Sequence, residues 1–306
     1  MTADNSIGYR HTAEELEAMV AAITKSGDYR VLRKIKGMRS EKAPPNAETK
    51  LAIFLDVETT GLDHAKDEII ELAMVPFSYS ADGVIYEVGE PFQRFNQPRG
   101  PISQEITRIT GITDDMVAGH KIDTAEAEAF AKGAALIVAH NASFDRRFME
   151  RLVPSFALKP WACSQSQVDW AKEGFEGTRL SYLVAGAGFF YDSHRASNDC
   201  LAAIELLAST LPMGGGTAMG ALLERARKPS WRIWAENSPF ELKDTLKARG
   251  YRWNADGSPF PKAWYTEVDD DAKDAELTFL KNEIYQRDIE LLVRKIDAYN
   301  RFSDRQ

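Results

Sequence analysis

The sequence is short of cysteine, of positive charge and of long apolar runs, and each shortage removes a class of protein. Two cysteines in 306 residues, Cys163 and Cys200, do not suggest a disulfide framework. They fit a reducing cytoplasm, and both read as small buried apolar residues. No window approaches the roughly 20 apolar residues that a membrane span needs, so no membrane partner is expected. Met1 to Arg10 has no apolar run behind a basic start, which argues against a secretory signal. The formal net charge is −8. A protein that grips a long phosphate backbone is usually basic. An enzyme that holds a strand end through divalent cations needs clustered carboxylates instead.

What is present is an ordinary globular composition, 44% hydrophobic and 27% charged, in a chain long enough for two domains. Residues 1–48 read as a helical leader: Thr12 with Glu15 fits a capping box, and Leu16, Met19, Val20 and Ile23 recur at helical spacing. Ser26-Gly27-Asp28 ends that helix. The cations from Arg30 to Arg39 read as the solvated face of a second short helix rather than as nucleic-acid contacts. Residues 49–211 change pattern. Leu51 to Leu55 is an apolar run suited to a buried strand, Glu68–Phe77 and Val84–Phe95 follow as strands, and Asp82-Gly83 turns between them. A strand at 135–139 then alternates with helices at 124–132, 143–152, 180–187 and 196–209, which predicts an α/β domain with a mixed sheet flanked by helices.

Met213-Gly214-Gly215-Gly216-Thr217 marks 212–223 as a Gly-rich linker. Beyond it, 224–268 holds four of the six tryptophans, and nine cations face four anions between Arg225 and Trp264. This reads as a small α+β module: a short helix closed by Gly250, a strand, a turn at Asp256-Gly257-Ser258-Pro259 and a second strand. Its tryptophans suit the core of a tiny domain. Interleaved with cations, some of them could instead stack on single-stranded bases, the less favoured of the two readings. The tail, 269–306, reads mostly as helix.

Three acidic segments carry the chemistry. Asp56-Val57-Glu58 follows the first strand, and residues i and i+2 of extended chain face one side. Two carboxylates held together repel unless a cation lies between them. Thr59-Thr60-Gly61 then turns the chain and exposes backbone amides. In His140-Asn141-Ala142-Ser143-Phe144-Asp145 a strand gives way to a helix, which puts Asp145 near the carboxyl edge of the sheet, where α/β ligand sites lie. In His194-Arg195-Ala196-Ser197-Asn198-Asp199, one continuous helix would set His194 and Asp199 about 140° apart. With His194 on the loop ahead of the helix, both reach one cavity.

Together these segments resemble the DnaQ-like DEDDh 3′–5′ exonuclease superfamily, across about half the chain. Ile109-Thr110-Gly111-Ile112-Thr113 and Ile69-Ile70-Glu71-Leu72-Ala73 are similar to stretches common in that family. The resemblance implies an RNase H-like mixed five-stranded sheet. It implies that Asp56, Glu58, Asp145 and Asp199 hold two divalent metal ions, Mg²⁺ or Mn²⁺, and that His194 is the general base. Thr59, Thr60, Gly61 and Leu62 would line the pocket for the terminal nucleotide, with Asn141 and Phe144 nearby. The implied activity is removal of nucleoside 5′-monophosphates from the 3′ end of single-stranded or frayed DNA, with a polymerase or repair complex as a possible partner. An RNA-trimming enzyme acting on RNA 3′ ends is the alternative within the family, and a non-catalytic strand-end adaptor the alternative outside it. The module at 224–268 also resembles, loosely, small accessory domains attached to nucleic-acid enzymes.

Overall fold

In the computed structural model of the chain, residues 11–35, 39–193, 195–257 and 259–305 are described. Helix α1 (Ala13–Lys25) forms the leader, and its capping box is made: the Thr12 hydroxyl accepts from the Glu15 amide at 3.2 Å while the Glu15 carboxylate accepts from the Thr12 amide at 2.8 Å. None of its residues is buried, so cap and propensity hold it rather than packing. Among the described residues, the basic stretch behind it contains no second helix. Arg33–Lys34 form a short strand, β1, and each of these cations has an acidic partner, Arg33 with Glu17 and Lys34 with Asp192. Arg39 pairs with Glu205.

The main sheet is built from β2 (Thr49–Thr59), β3 (Ile69–Ser80), β4 (Ile85–Val88) and β5 (Phe92–Phe95), followed by α2 (Gln104–Thr110), α3 (Asp114–Val117) and α4 (Thr124–Ala131). Strand β6 (Leu136–Ala139), α5 (Ala142–Leu152) and β7 (Trp161–Cys163) continue it. Helix α6 (Leu180–Gly186), strand β8 (Phe189–Phe190), which pairs in parallel with β1, and helix α7 (Ala196–Ala208) complete this part. The sheet runs β4-β3-β2-β6-β7, with β5 also on β3. Strands β2 and β3 are antiparallel, whereas β2, β6 and β7 are parallel. The sheet is therefore mixed. It has six strands rather than the expected five, because the run expected as one strand from Val84 to Phe95 is broken, and its two pieces share the same edge of β3.

Period-two alternation along β2 sorts its side chains onto two cores. Ala52 and Phe54 pack with α7 and Leu183 of α6. Ile53, Leu55 and Val57 pack with Phe148 and Met149 of α5 and with Trp161. Both cysteines are free and buried.

The Gly-rich stretch expected as a linker leads straight into helix α8 (Ala218–Arg227), whose Ala218, Met219, Leu222 and Leu223 are buried in the first core. Glu173 accepts from the amides of Met213 and Gly214, and Gly83 fits against Gly220 where a side chain could not. The following sheet runs β10 (Arg252–Trp253), β11 (Trp264–Asp269), β9 (Ser230–Ala235) and β12 (Val293–Ile296), with α9 (Lys243–Ala248) and α10 (Lys273–Phe279). The tail is thus only partly helical. It adds an edge strand and then returns to the main domain. There Arg146, fully buried, pairs with Glu150 at 2.6 Å and donates to the carbonyls of Ala298, Tyr299 and Arg301.

Candidate active site

Strand β2 runs further than its apolar core, so Asp56 and Glu58 lie within the strand rather than beyond it. They continue the alternation of Ala52 and Phe54, and so face the side on which α7 packs. Asp199 lies in the first turn of α7. Carboxylate oxygens of Asp56, Glu58 and Asp199 all lie within 4.8 Å of one another, an arrangement able to hold a metal ion. Asp145, in the first turn of α5, is buried from the other side, and its Oδ1 accepts from the Val57 amide at 3.2 Å. It is outside the three-carboxylate group but close enough to raise the pKa of Asp56. His194 lies outside the described residues.

The electrostatics fit a cation site. Burial pushes the Asp56 carboxyl well above the usual range, and the neighbouring charges of Asp145, Asp199 and Glu58 push it further. Burial also raises Asp145, against the opposing hydrogen bond from Val57. Glu58 is pushed up to about 7 by burial first, then by Asp199 and Glu71, while Arg195 opposes them. Carboxylates this crowded need protons or a hard cation to coexist, and an all-oxygen donor set suits Mg²⁺ or Mn²⁺.

The expected nucleotide-pocket residues are placed unevenly. Thr59 ends β2 and is buried, and its hydroxyl donates to the Gly61 carbonyl at 2.6 Å. The Thr60 amide is not exposed for a ligand: it donates to the Glu68 carbonyl. Gly61 is packed so closely on Asp67 that a Cβ would come within 2.5 Å of its carboxylate. Leu62 is 86% exposed. Asn141 takes the left-handed conformation, φ 74°, ahead of α5 and makes no side-chain cap, while Phe144 packs on Phe148. His140 is fixed by Ser164 and by the Thr178 carbonyl, and burial lowers its pKa.

Two groups that sequence reasoning did not place at the site touch it. Glu71 lies opposite Glu58 in the β2–β3 register and is fully buried. It accepts from the Ala196 amide at 3.2 Å and pairs with Arg195 at 3.1 Å, which anchors the start of α7. Its one sequence signal was an acid in an otherwise apolar strand. Tyr191 donates its hydroxyl to Asp199 at 2.8 Å, and burial raises its pKa strongly.

A mixed α/β sheet thus presents crowded carboxylates from a central strand and from helix starts, an arrangement able to hold divalent cations. The sequence profile of the exonuclease family RNase_T matches residues 53–207, and the chain belongs to that family, within the DnaQ-like DEDDh exonucleases of RNase H-like fold. Among curated relatives, a DNA polymerase III PolC-type from Halalkalibacterium halodurans is 41% identical over 108 residues, 34% of this chain and 7% of that protein. The PolC-type from Caldanaerobacter subterraneus subsp. tengcongensis is 31% identical over 166 residues, 52% of this chain and 11% of that protein. The chain thus spans only a small part of the relatives it matches. Among solved structures, exonuclease X in complex with 5′ overhanging duplex DNA is 26% identical, with a TM-score of 0.43 over 56% of this chain and 97% of that one. E. coli exonuclease I in complex with a dA16 oligonucleotide is 17% identical, with a TM-score of 0.49 over 72% and 63%. No helix among the described residues is long and apolar enough to cross a membrane.

Proposed function

We propose that the chain is a 3′–5′ exonuclease that hydrolyses single-stranded or frayed DNA from its 3′ end and releases nucleoside 5′-monophosphates. The observation that carries this reading is the convergence of Asp56, Glu58 and Asp199 oxygens within 4.8 Å near the carboxyl end of the central strand β2, with Asp145 beside them. These four carboxylates would hold two Mg²⁺ or Mn²⁺ ions. When bound, such ions relieve charge on the phosphoryl oxygens and the leaving alkoxide.

The chain's own residues supply the rest. His194, with a reference pKa of about 6.5, accepts the proton of the attacking water near neutral pH. Glu71 and Arg195 fix the start of α7, and hence the height at which Asp199 enters the site. Thr59, Thr60, Gly61 and exposed Leu62 form the rim beside Asp56 and Glu58, against which the terminal nucleotide lies, with Asn141 and Phe144 on the α5 side. The DNA polymerases among the relatives favour DNA over RNA as the substrate, and a polymerase or repair complex as the partner.

Polarity and sugar preference are tested with oligonucleotides carrying a nuclease-resistant phosphorothioate at one end. The proposal expects a 3′-terminal block to stop digestion, a 5′ block to be harmless, and DNA to be digested faster than RNA of the same sequence. Digestion stopped by the 5′ block, or confined to RNA, would overturn it.

A further inference from the structure

The proposed reaction sets a physical problem. The site is a cluster of carboxylates in a chain of net charge −8, and the cation described beside it, Arg195, is already paired with Glu71, so the acids themselves repel a phosphate backbone before metal ions arrive. The cations are concentrated elsewhere, between Arg225 and Trp264. The sheet formed by β10, β11, β9 and β12 divides its side chains by strand alternation. Ile233 and Ala235 of β9 face one way and form the core with Leu246, Leu280 and Ile284, along with Trp264, Val268 and Val293. The other face has a different composition. Arg252, Tyr265 and Trp234 are register partners in one row across it, and Glu267, Arg232 and Arg294 in the next.

Trp234 on this second face is buried beneath Phe260, and the partly exposed rings of Phe260 and Tyr265 lie outside the module's core cluster. They are interleaved with guanidinium groups. Phe260 stacks on Trp234 at 5.3 Å and an interplanar angle of 26°, and the Arg294 guanidinium lies 5.1 Å from the centre of the Phe260 ring. Arg232 lies 5.1 Å from the Tyr265 ring. Three arginines meet a single carboxylate, Glu267, in the two rows. The dent between Arg232, Trp234, Asn254, Phe260 and Tyr265 encloses about 80 Å³. A small-molecule site usually needs about 300 Å³ or more. The surface therefore fits a ligand laid across it, with flat rings to stack and phosphates to pair, rather than one enclosed in it.

We propose that this face is an accessory binding site for single-stranded DNA, with bases stacked on Phe260 and Tyr265 and phosphates held by Arg252 and Arg294, while Arg232, mostly buried and paired with Glu267, supports the Tyr265 ring. It rests on the exonuclease reading above and deepens it: the face holds the body of the strand whose end the carboxylate cluster cuts. The remaining tryptophans divide accordingly. Trp264 joins the core, while Trp253 is 52% exposed at the edge strand.

The test uses the full chain in EDTA, with binding of fluorescein-labelled dT20 read by anisotropy. The variants are Arg252→Glu/Arg294→Glu, Phe260→Ala, and the exposed pair Lys42→Glu/Lys121→Glu as a control for net charge. The arginine pair and Phe260→Ala are each expected to weaken binding at least about tenfold. The arginine pair should also flatten the salt dependence by about 1.4, or 0.7 per phosphate contact. The charge control should bind within about twofold of wild type, and with Mg²⁺ the arginine pair should still hydrolyse a dinucleotide at the wild-type rate. An arginine pair that binds dT20 as wild type does, or a charge control that loses as much, overturns the accessory site. Failure of the exonuclease reading looks different: wild type would bind dT20 yet hydrolyse neither it nor the dinucleotide.

Discussion

Replacing Glu58 by glutamine should stabilise the metal-free protein while destroying the site. The Glu58 carboxyl is pushed from 4.5 to about 7 on folding, chiefly by burial and by the charges of Asp199 and Glu71. A carboxylate whose folded pKa lies above its unfolded value costs nothing extra below about pH 4.5. The cost grows as pH rises towards 7 and then stays constant. At about 1.36 kcal/mol per pH unit, the plateau is about 3 kcal/mol. Glutamine keeps the shape and removes the charge, so Glu58→Gln should gain up to that amount at pH 8 and nothing at pH 4.5. In a chain of this length that is roughly 5 °C in melting temperature. Thermal melts in EDTA at several pH values measure it. Adding Mn²⁺ should raise the wild-type melting temperature and leave the variant far less affected, because the cation relieves the same repulsion. A variant that is no more stable than wild type at pH 8, or a gain that does not change with pH, would refute the electrostatic account of this site.

Three further outcomes are expected. His194→Ala should lower kcat by about 10²- to 10⁴-fold while leaving Mn²⁺ affinity, read by calorimetric titration, near wild type. Arg146→Ala should cost about 3 kcal/mol in urea unfolding, because Glu150 and the tail carbonyls of Ala298, Tyr299 and Arg301 lose a buried donor. Gly83→Ala should cost about 2 kcal/mol in the same assay, since residue 83 has φ +88° and its new Cβ would come within 2.3 Å of the Gly220 nitrogen.

Local rules made much of this legible. The capping box at Thr12, the apolar run of β2 and the helical spacing in α5 and α7 are written in nearest neighbours, and the structure contains each of them. So is the shared side of Asp56 and Glu58, because strand alternation needs no tertiary information. What was not legible depends on partners distant in sequence. Arg33–Lys34 became a strand because β8, more than 150 residues later, supplies its pairing edge. The glycines at 214–216 looked like a linker, yet α8 directly after them is buried against the main core. Glu71 read as one acid in an apolar strand until the fold brought the first amide of α7 and Arg195 onto it. The tail read as helix because its closing strand has meaning only beside β9.

The central claim is that carboxylates crowded at the carboxyl end of the central strand β2 make this chain a cation-dependent nuclease that works inward from a 3′ end. The most direct test is a time course on single-stranded DNA labelled at its 5′ end, with Mg²⁺ or with EDTA, for wild type and Asp56→Ala. The account expects wild type with Mg²⁺ to give a ladder shortening one nucleotide at a time, and EDTA or Asp56→Ala to leave the strand intact. Immediate release of a labelled mononucleotide, internal cuts, or undiminished cleavage by Asp56→Ala would contradict it.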